Sequence, residues 1–184
     1  GAPRGEPSAH LPPTAMINFL QNHDQIGNRA FGERITVLAE PRAVRAATAC
    51  VLLGPAIPML FMGEAFGARS PFLYFCDFEG ELARAVREGR RREFARFARF
   101  ADPATRDRIP DPTAATTFTA SRLPLPVDDA DSARERAFQA FVGTCLAERR
   151  QRVETLIADG APALADHRML DERAFVVRWR FGGG

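Results

Sequence analysis

Five residues, Met16-Ile17-Asn18-Phe19-Leu20, form a mostly apolar run that turns abruptly polar at Gln21-Asn22-His23-Asp24-Gln25. This is the pattern of a buried parallel strand that delivers polar side chains from its carboxyl end. The segment that follows keeps to it. Glu40-Pro41 places proline at the first helical position, Arg42 to Leu53 continues the helix, and Gly54 stops it. Ile57 to Met62 is a second apolar strand, again ending in small and polar residues at Gly63-Glu64. Strand, helix and strand in that order predict a βαβ crossover, so the expected fold class is α/β.

Beyond this unit the periodicity changes. Residues 79–100 are arginine-rich and predict a partial helix with Leu82, Val86, Phe94 and Phe97 facing inward; Gly89 within it costs roughly 1 kcal/mol relative to alanine. Residues 102–130 are rich in Pro, Asp, Thr and Ala and predict an irregular connection. Ser132 and Glu135 make an S-x-x-E capping box ahead of Phe138, Phe141, Val142, Cys145, Leu146, Val153, Leu156 and Ile157, which recur at helical spacing until Asp159-Gly160. After a short polar segment, Phe175, Val177, Trp179 and Phe181 alternate with Val176, Arg178 and Arg180, the mark of an antiparallel strand with one wet face. The expected organisation is a lead-in over 1–15, one α/β region over 16–158, and a linker and strand over 159–184.

Composition narrows the chemistry. All 25 basic residues are arginine, which excludes Schiff-base, Walker-type and general-base lysine chemistry. A net charge of +2 calls for neither a nucleic-acid nor an acidic-membrane partner. Arg90-Arg91-Arg92 and Arg149-Arg150 are expected on the wet faces of helices, since one Trp and one Tyr do not furnish a stacking platform for bases. Cys50, Cys76 and Cys145 are too scattered for a disulfide framework or a metal knuckle, and Cys76 fits a small buried residue. There is no signal-like opening, and the most apolar stretch, Cys50 to Met62, is broken by Gly54, Pro55 and Pro58. The expectation is a soluble, cytoplasmic protein. The chain starts at Gly1 and stops just after a strand-like pattern, so it is expected to be a piece of a longer one.

The densest polar constellation is Gln21 to Arg29. Amide, imidazole and carboxylate groups side by side suit recognition of vicinal sugar hydroxyls, and Asp24 is placed to stabilise a developing positive charge. The same residues could instead cap the next loop or satisfy one another. A metal reading of His23, Asp24 and Glu64 lacks ligand spacing, so no metal is expected. Asp77, Glu79 and Glu81 read as solvated or capping groups, and His10 and His167 have no partner in view.

Three blocks carry a resemblance. Phe19-Leu20-Gln21-Asn22-His23-Asp24-Gln25-Ile26-Gly27-Asn28-Arg29 resembles the segment around the third catalytic carboxylate of the α-amylase superfamily of glycoside hydrolases. Ile57-Pro58-Met59-Leu60-Phe61-Met62-Gly63-Glu64 is similar to the eighth barrel strand of those enzymes, and Pro71 to Phe78 with Glu81 to Phe94 is similar to a stretch typical of the maltooligosyltrehalose trehalohydrolase family. The resemblance implies the last two βα units of a (β/α)₈ barrel followed by the start of a small β-domain, in a retaining hydrolase of maltooligosyl trehalose or another α-1,4-glucan. It implies that Asp24 is the transition-state stabiliser and that His23 binds the sugar, with Asn22, Gln25 and Arg29 as neighbouring contacts. It also implies that the nucleophile and the general acid lie on strands this chain does not contain. Where that family usually has two acidic residues after Gly63, the pair here is Glu64-Ala65. A glycogen branching enzyme, another α-glucan-active member and a non-catalytic glucan-binding remnant are the alternatives.

Overall fold

The structure, a computed structural model, describes residues 5–8, 10–124 and 130–182, and their side chains except those of 130–132 and 165. Its elements run β1 (Ile17–Asn18), α1 (His23–Gly27), α2 (Ile35–Leu38), α3 (Pro41–Leu53), β2 (Ile57–Pro58), α4 (Gly80–Ala95), α5 (Pro103–Asp107) and α6 (Ala115–Ala120). They continue with α7 (Ala130–Glu148), α8 (Glu154–Ala158), β3 (Ala163–Asp171) and β4 (Ala174–Arg180). Two compact units result. One holds the described residues of Gly1–Phe19 with Ala46–Met59 and Ala140–Gly184; the other holds Leu20–Arg45 and the described residues of Leu60–Gln139.

In the first unit β1 and β2 pair in parallel, Ile17 opposite Ile57 and Asn18 opposite Pro58. Ile57 and Met59 donate to Met16 O and Asn18 O at 2.9 Å each, so the N–H that Pro58 lacks is one that would point away from β1. The parallel order matches the expected crossover. The strands are shorter than expected, two residues each, and they are not buried: Ile17 is 59% and Ile57 51% exposed. Among the described residues neither strand has another neighbour in its sheet, which accounts for the exposure.

Helix α3 runs from Pro41 to Leu53 as its sequence predicts. The chain then leaves helical geometry with carbonyls lacking helical donors. Arg149 supplies donors. Buried at 7% exposure, it donates from Nη1 to Leu52 O (2.9 Å) and Gly54 O (2.6 Å) and from Nη2 to Ala56 O (2.9 Å), with Glu154 Oε1 3.6 Å from Nε. It sits where α7 widens into a π-helical turn, Arg149–Val153, before α8. The expectation of a solvated Arg149 is thus overturned, because the helix end it reaches needs hydrogen-bond donors and a cation. Helix α7 begins at Ala130, ahead of Ser132, whose side chain lies outside the described residues; the capping-box reading falls there.

The chain ends in two strands rather than one. β3 and β4 form an antiparallel hairpin closed over Glu172-Arg173. β3 escapes the sequence reading because its register shifts between Leu164 and Asp166 and again between Met169 and Asp171, which breaks the period-2 pattern. Leu164, Phe175, Val177 and Trp179 line an apolar groove of about 650 Å³ with residues that include Met16, Leu53 and Pro55.

In the second unit the core gathers Ala30, Phe94, Phe100 and Ile109, with Phe31 packed on it. The buried stripe of α4 is Ala83, Arg90 and Phe94, whereas Leu82 and Phe97, expected inward, are exposed. The expected irregular stretch contains α5 and α6. α5 is opened by Asp102, whose carboxylate accepts from Ala104 N–H at 3.1 Å, and by Pro103.

Arg149→Leu keeps an apolar stem but removes the donors to three carbonyls. The expected cost is about 3 kcal/mol in unfolding free energy by urea titration. A loss below about 1 kcal/mol would mean that water satisfies those carbonyls instead.

Candidate functional site

The turn after Leu20 is built by its own amides. Asn22 caps α1: its Oδ1 accepts from Asp24 N–H at 2.7 Å, while its own N–H donates to Gln25 Oε1 at 2.8 Å, a reciprocal capping box. Gln21, buried, accepts from Ile35 N–H at 2.9 Å and so ties the turn to α2. Arg29 donates from Nη1 to Glu33 O at 2.8 Å. Asn22, Gln25 and Arg29 thus each hold a backbone group of the turn or of the segment after it. His23 and Asp24 remain as a pair on the first turn, 67% and 66% exposed, with Nε2 and Oδ1 3.4 Å apart.

His23 and Asp24 line a cleft of about 270 Å³ with Gly27, Asn28, Phe72, Leu73, Tyr74 and Phe75. One wall is α1; the other is the loop 71–78. Gly32 allows that loop to come close, since its φ is +60° and a Cβ there would lie 2.5 Å from Phe72 O, while Gly32 O accepts from Phe72 N–H at 3.0 Å. The loop is fixed further by Leu73 N–H to Ser121 Oγ (2.9 Å) and Cys76 N–H to Pro112 O (2.8 Å). Its rings form an edge-to-face chain, Phe61 to Phe72 at 5.1 Å, Phe72 to Phe75 at 5.7 Å and Phe75 to Phe118 at 5.2 Å.

Glu64 stands apart from His23 and Asp24. It is buried, accepts from Phe61 N–H at 2.8 Å, and has its carboxyl pushed above the ordinary value by burial, against the pull of that N–H and of Arg34. Arg34, fully buried, donates to Ser70 O (2.7 Å) and Met62 O (2.8 Å); burial lowers its guanidinium, with Glu64 opposing. Among the described residues no group of three or more His, Cys, Asp or Glu is arranged to hold a metal ion. Among them, too, no helix is long and apolar enough to cross a membrane.

The sequence reading missed one residue at the cleft. Arg90, expected in solvent, is buried at 8% exposure directly behind it, donating from Nη2 to Gly27 O (2.6 Å) and Arg29 O (2.9 Å).

No protein-family model matches the chain. A malto-oligosyltrehalose trehalohydrolase from Arthrobacter ramosus is 46% identical over 114 residues, 61% of this chain and 19% of that protein. One from Saccharolobus solfataricus is 40% identical over 115 residues, 62% of this chain and 18% of that protein. One from Mycobacterium tuberculosis is 36% identical over 162 residues, 88% of this chain and 26% of that protein. The chain is a sequence relative of the malto-oligosyltrehalose trehalohydrolases. It spans between about a fifth and a quarter of the length of these trehalohydrolases. A 1.4 Å crystal structure of a Salmonella typhimurium protein provisionally named an alpha amylase superposes with a TM-score of 0.74 at 40% identity, over 90% of this chain and 27% of that one. The mixed helix and strand architecture thus has an α-amylase-like neighbour, in keeping with the resemblance of the three sequence blocks.

The loop behind the cleft carries a pH dependence. Burial raises the Asp111 carboxyl, but the Thr113 N–H (2.9 Å), the Thr113 hydroxyl (2.8 Å) and Arg87 Nε at 2.7 Å outweigh it, so its pKa is lowered. A carboxyl lowered by folding stabilises the fold above its unfolded value and loses that contribution as pH falls through its folded value. Asp111→Asn is therefore expected to lower stability at neutral pH, with the gap from wild type closing as the pH drops below the ordinary aspartate range. Urea unfolding across that range checks it, and a gap independent of pH would count against it.

Proposed function

We propose that this chain is part of a glycoside hydrolase of the α-amylase type that releases trehalose from maltooligosyl trehalose by retaining hydrolysis of the adjacent α-1,4 bond. Residues 16–158 supply about the last two βα units of a (β/α)₈ barrel, and 159–184 the start of a small β-domain. The observation that carries the reading is the His23–Asp24 pair, set exposed on a capped turn in an aromatic-walled cleft, in a chain 36–46% identical to proteins named as trehalohydrolases. The edge of a partial barrel, two strands of eight, also gives the exposed Ile17 and Ile57 a purpose, since further parallel strands would cover them.

In this reading Asp24 meets the positive charge that develops at the anomeric carbon as the glycosidic bond breaks. His23, beside it, hydrogen-bonds a hydroxyl of the same ring, and Tyr74 and Phe75 offer their faces to the apolar side of the sugar. The nucleophile and the general acid come from strands outside these residues. Carboxylates and water suffice for the chemistry, so no cofactor is required, and the enzyme works in the cytoplasm. Hydrolysis of plain α-1,4-glucan is the second reading, favoured by the α-amylase name of the Salmonella neighbour; analysis of products for trehalose separates the two.

Two outcomes are expected. The 184-residue chain alone releases no trehalose from maltooligosyl trehalose, and release by this chain at correct mass would refute the division of catalytic groups. In an enzyme with the full barrel, Asp24→Asn lowers turnover by several orders of magnitude while the circular dichroism spectrum stays that of wild type; unchanged turnover would remove Asp24 from the mechanism.

A further inference from the structure

Arg90 opens a run of three arginines, Arg90-Arg91-Arg92. The fold separates it sharply. Arg91 and Arg92 point to solvent-side acids, with Nη1 of Arg91 4.0 Å from Asp107 and Nη1 of Arg92 3.7 Å from Glu88. Arg90 turns inward instead and reaches both walls of the cleft with one guanidinium. Towards the helical wall, Nη2 donates to Gly27 O and Arg29 O, carbonyls at the end of the short helix that begins with His23 and Asp24. Towards the loop wall, its Cζ stands 4.7 Å from the centroid of the Tyr74 ring, and on its other neighbour 5.1 Å from that of Phe94. Burial draws the guanidinium below its ordinary value, with Glu93 and Tyr74 working against that.

We propose that Arg90 is a positioning residue of the cleft, holding the turn that bears His23 and Asp24 at a fixed spacing from the Tyr74 face. The proposal rests on the reading that this cleft takes a sugar ring. A guanidinium suits it: one nitrogen, Nη2, donates to both carbonyls while the delocalised cation stands over the Tyr74 ring, and a lysine ammonium, able to make the hydrogen bonds, lacks that plane. Arg90 touches no substrate; its effect passes through the groups it holds.

Tyr74 is the one tyrosine of the sequence, so a 3-fluorotyrosine label reports on this wall alone. The test titrates the labelled 184-residue chain with maltotriose, following the ¹⁹F resonance, for wild type, Arg90→Lys and Arg90→Met, with the urea midpoint of each measured in parallel. The expected result is a displaced resonance in both variants without sugar and maltotriose affinity weakened about tenfold or more in Arg90→Met, with Arg90→Lys between it and wild type. Should Arg90→Met fail to fold, Arg90→Lys decides alone. Wild-type affinity in folded variants, whatever their urea midpoints, would overturn the role of Arg90 and leave the sugar reading intact. A wild-type resonance indifferent to maltotriose would remove the sugar reading, and the proposal with it.

Discussion

Carbonyl oxygens left over at helix ends and tight loops must find donors, and in a chain whose parallel sheet is only two residues deep the backbone supplies few. Buried guanidinium groups fill that need. Arg34, Arg90 and Arg149 between them donate to seven backbone carbonyls, those of Ser70, Met62, Gly27, Arg29, Leu52, Gly54 and Ala56. Arginine is suited to this because its charge persists on burial and its donors lie in one plane with fixed spacing. Removing such a group strands several polar atoms at once, whereas removing an exposed ion pair such as Arg92 with Glu88 strands none. The loops that shape the cleft therefore hang on side chains rather than on a ladder.

Much of the architecture was legible in the sequence where a local rule operates alone. Proline at 41 and glycine at 54 bracket α3 because each acts on its own backbone. The parallel order of β1 and β2 followed from the apolar runs and the helix between them. β4 showed its alternation, but β3 did not, because two register shifts move its side chains out of phase. α5 and α6 are five and six residues long, too short for periodicity, although Asp102-Pro103 carried a usable signal for the first.

The arginines mark where sequence reasoning fails for a physical reason. In α4 the buried positions Ala83, Arg90 and Phe94 are spaced seven and four apart, a regular helical stripe. Scoring arginine as polar pulls the apparent stripe toward Leu82 and Val86, which lie about 100° and about 60° round the helix from Ala83. Treating an arginine within an otherwise apolar stripe as a buried donor, rather than as a break in it, would have placed both Arg90 and the core correctly. The same rule applies at Arg149, three and four residues after the apolar pair Cys145 and Leu146, of which Cys145 is buried and Leu146 exposed.

For the site, the division falls between residues the backbone uses and residues it leaves. Gln21 to Arg29 looked like one polar cluster, yet Gln21, Asn22, Gln25 and Arg29 are bound to main-chain atoms within the turn or its neighbours. A helix of one turn with a disordered start could not hold its first two side chains at a fixed place; the reciprocal cap and the ties from Gln21 and Arg90 do that for His23 and Asp24. Their exposure is then a consequence of design by neighbours. A density of polar residues at a strand end thus divides into those the turn binds into its own backbone and the two, His23 and Asp24, that it leaves facing the cleft.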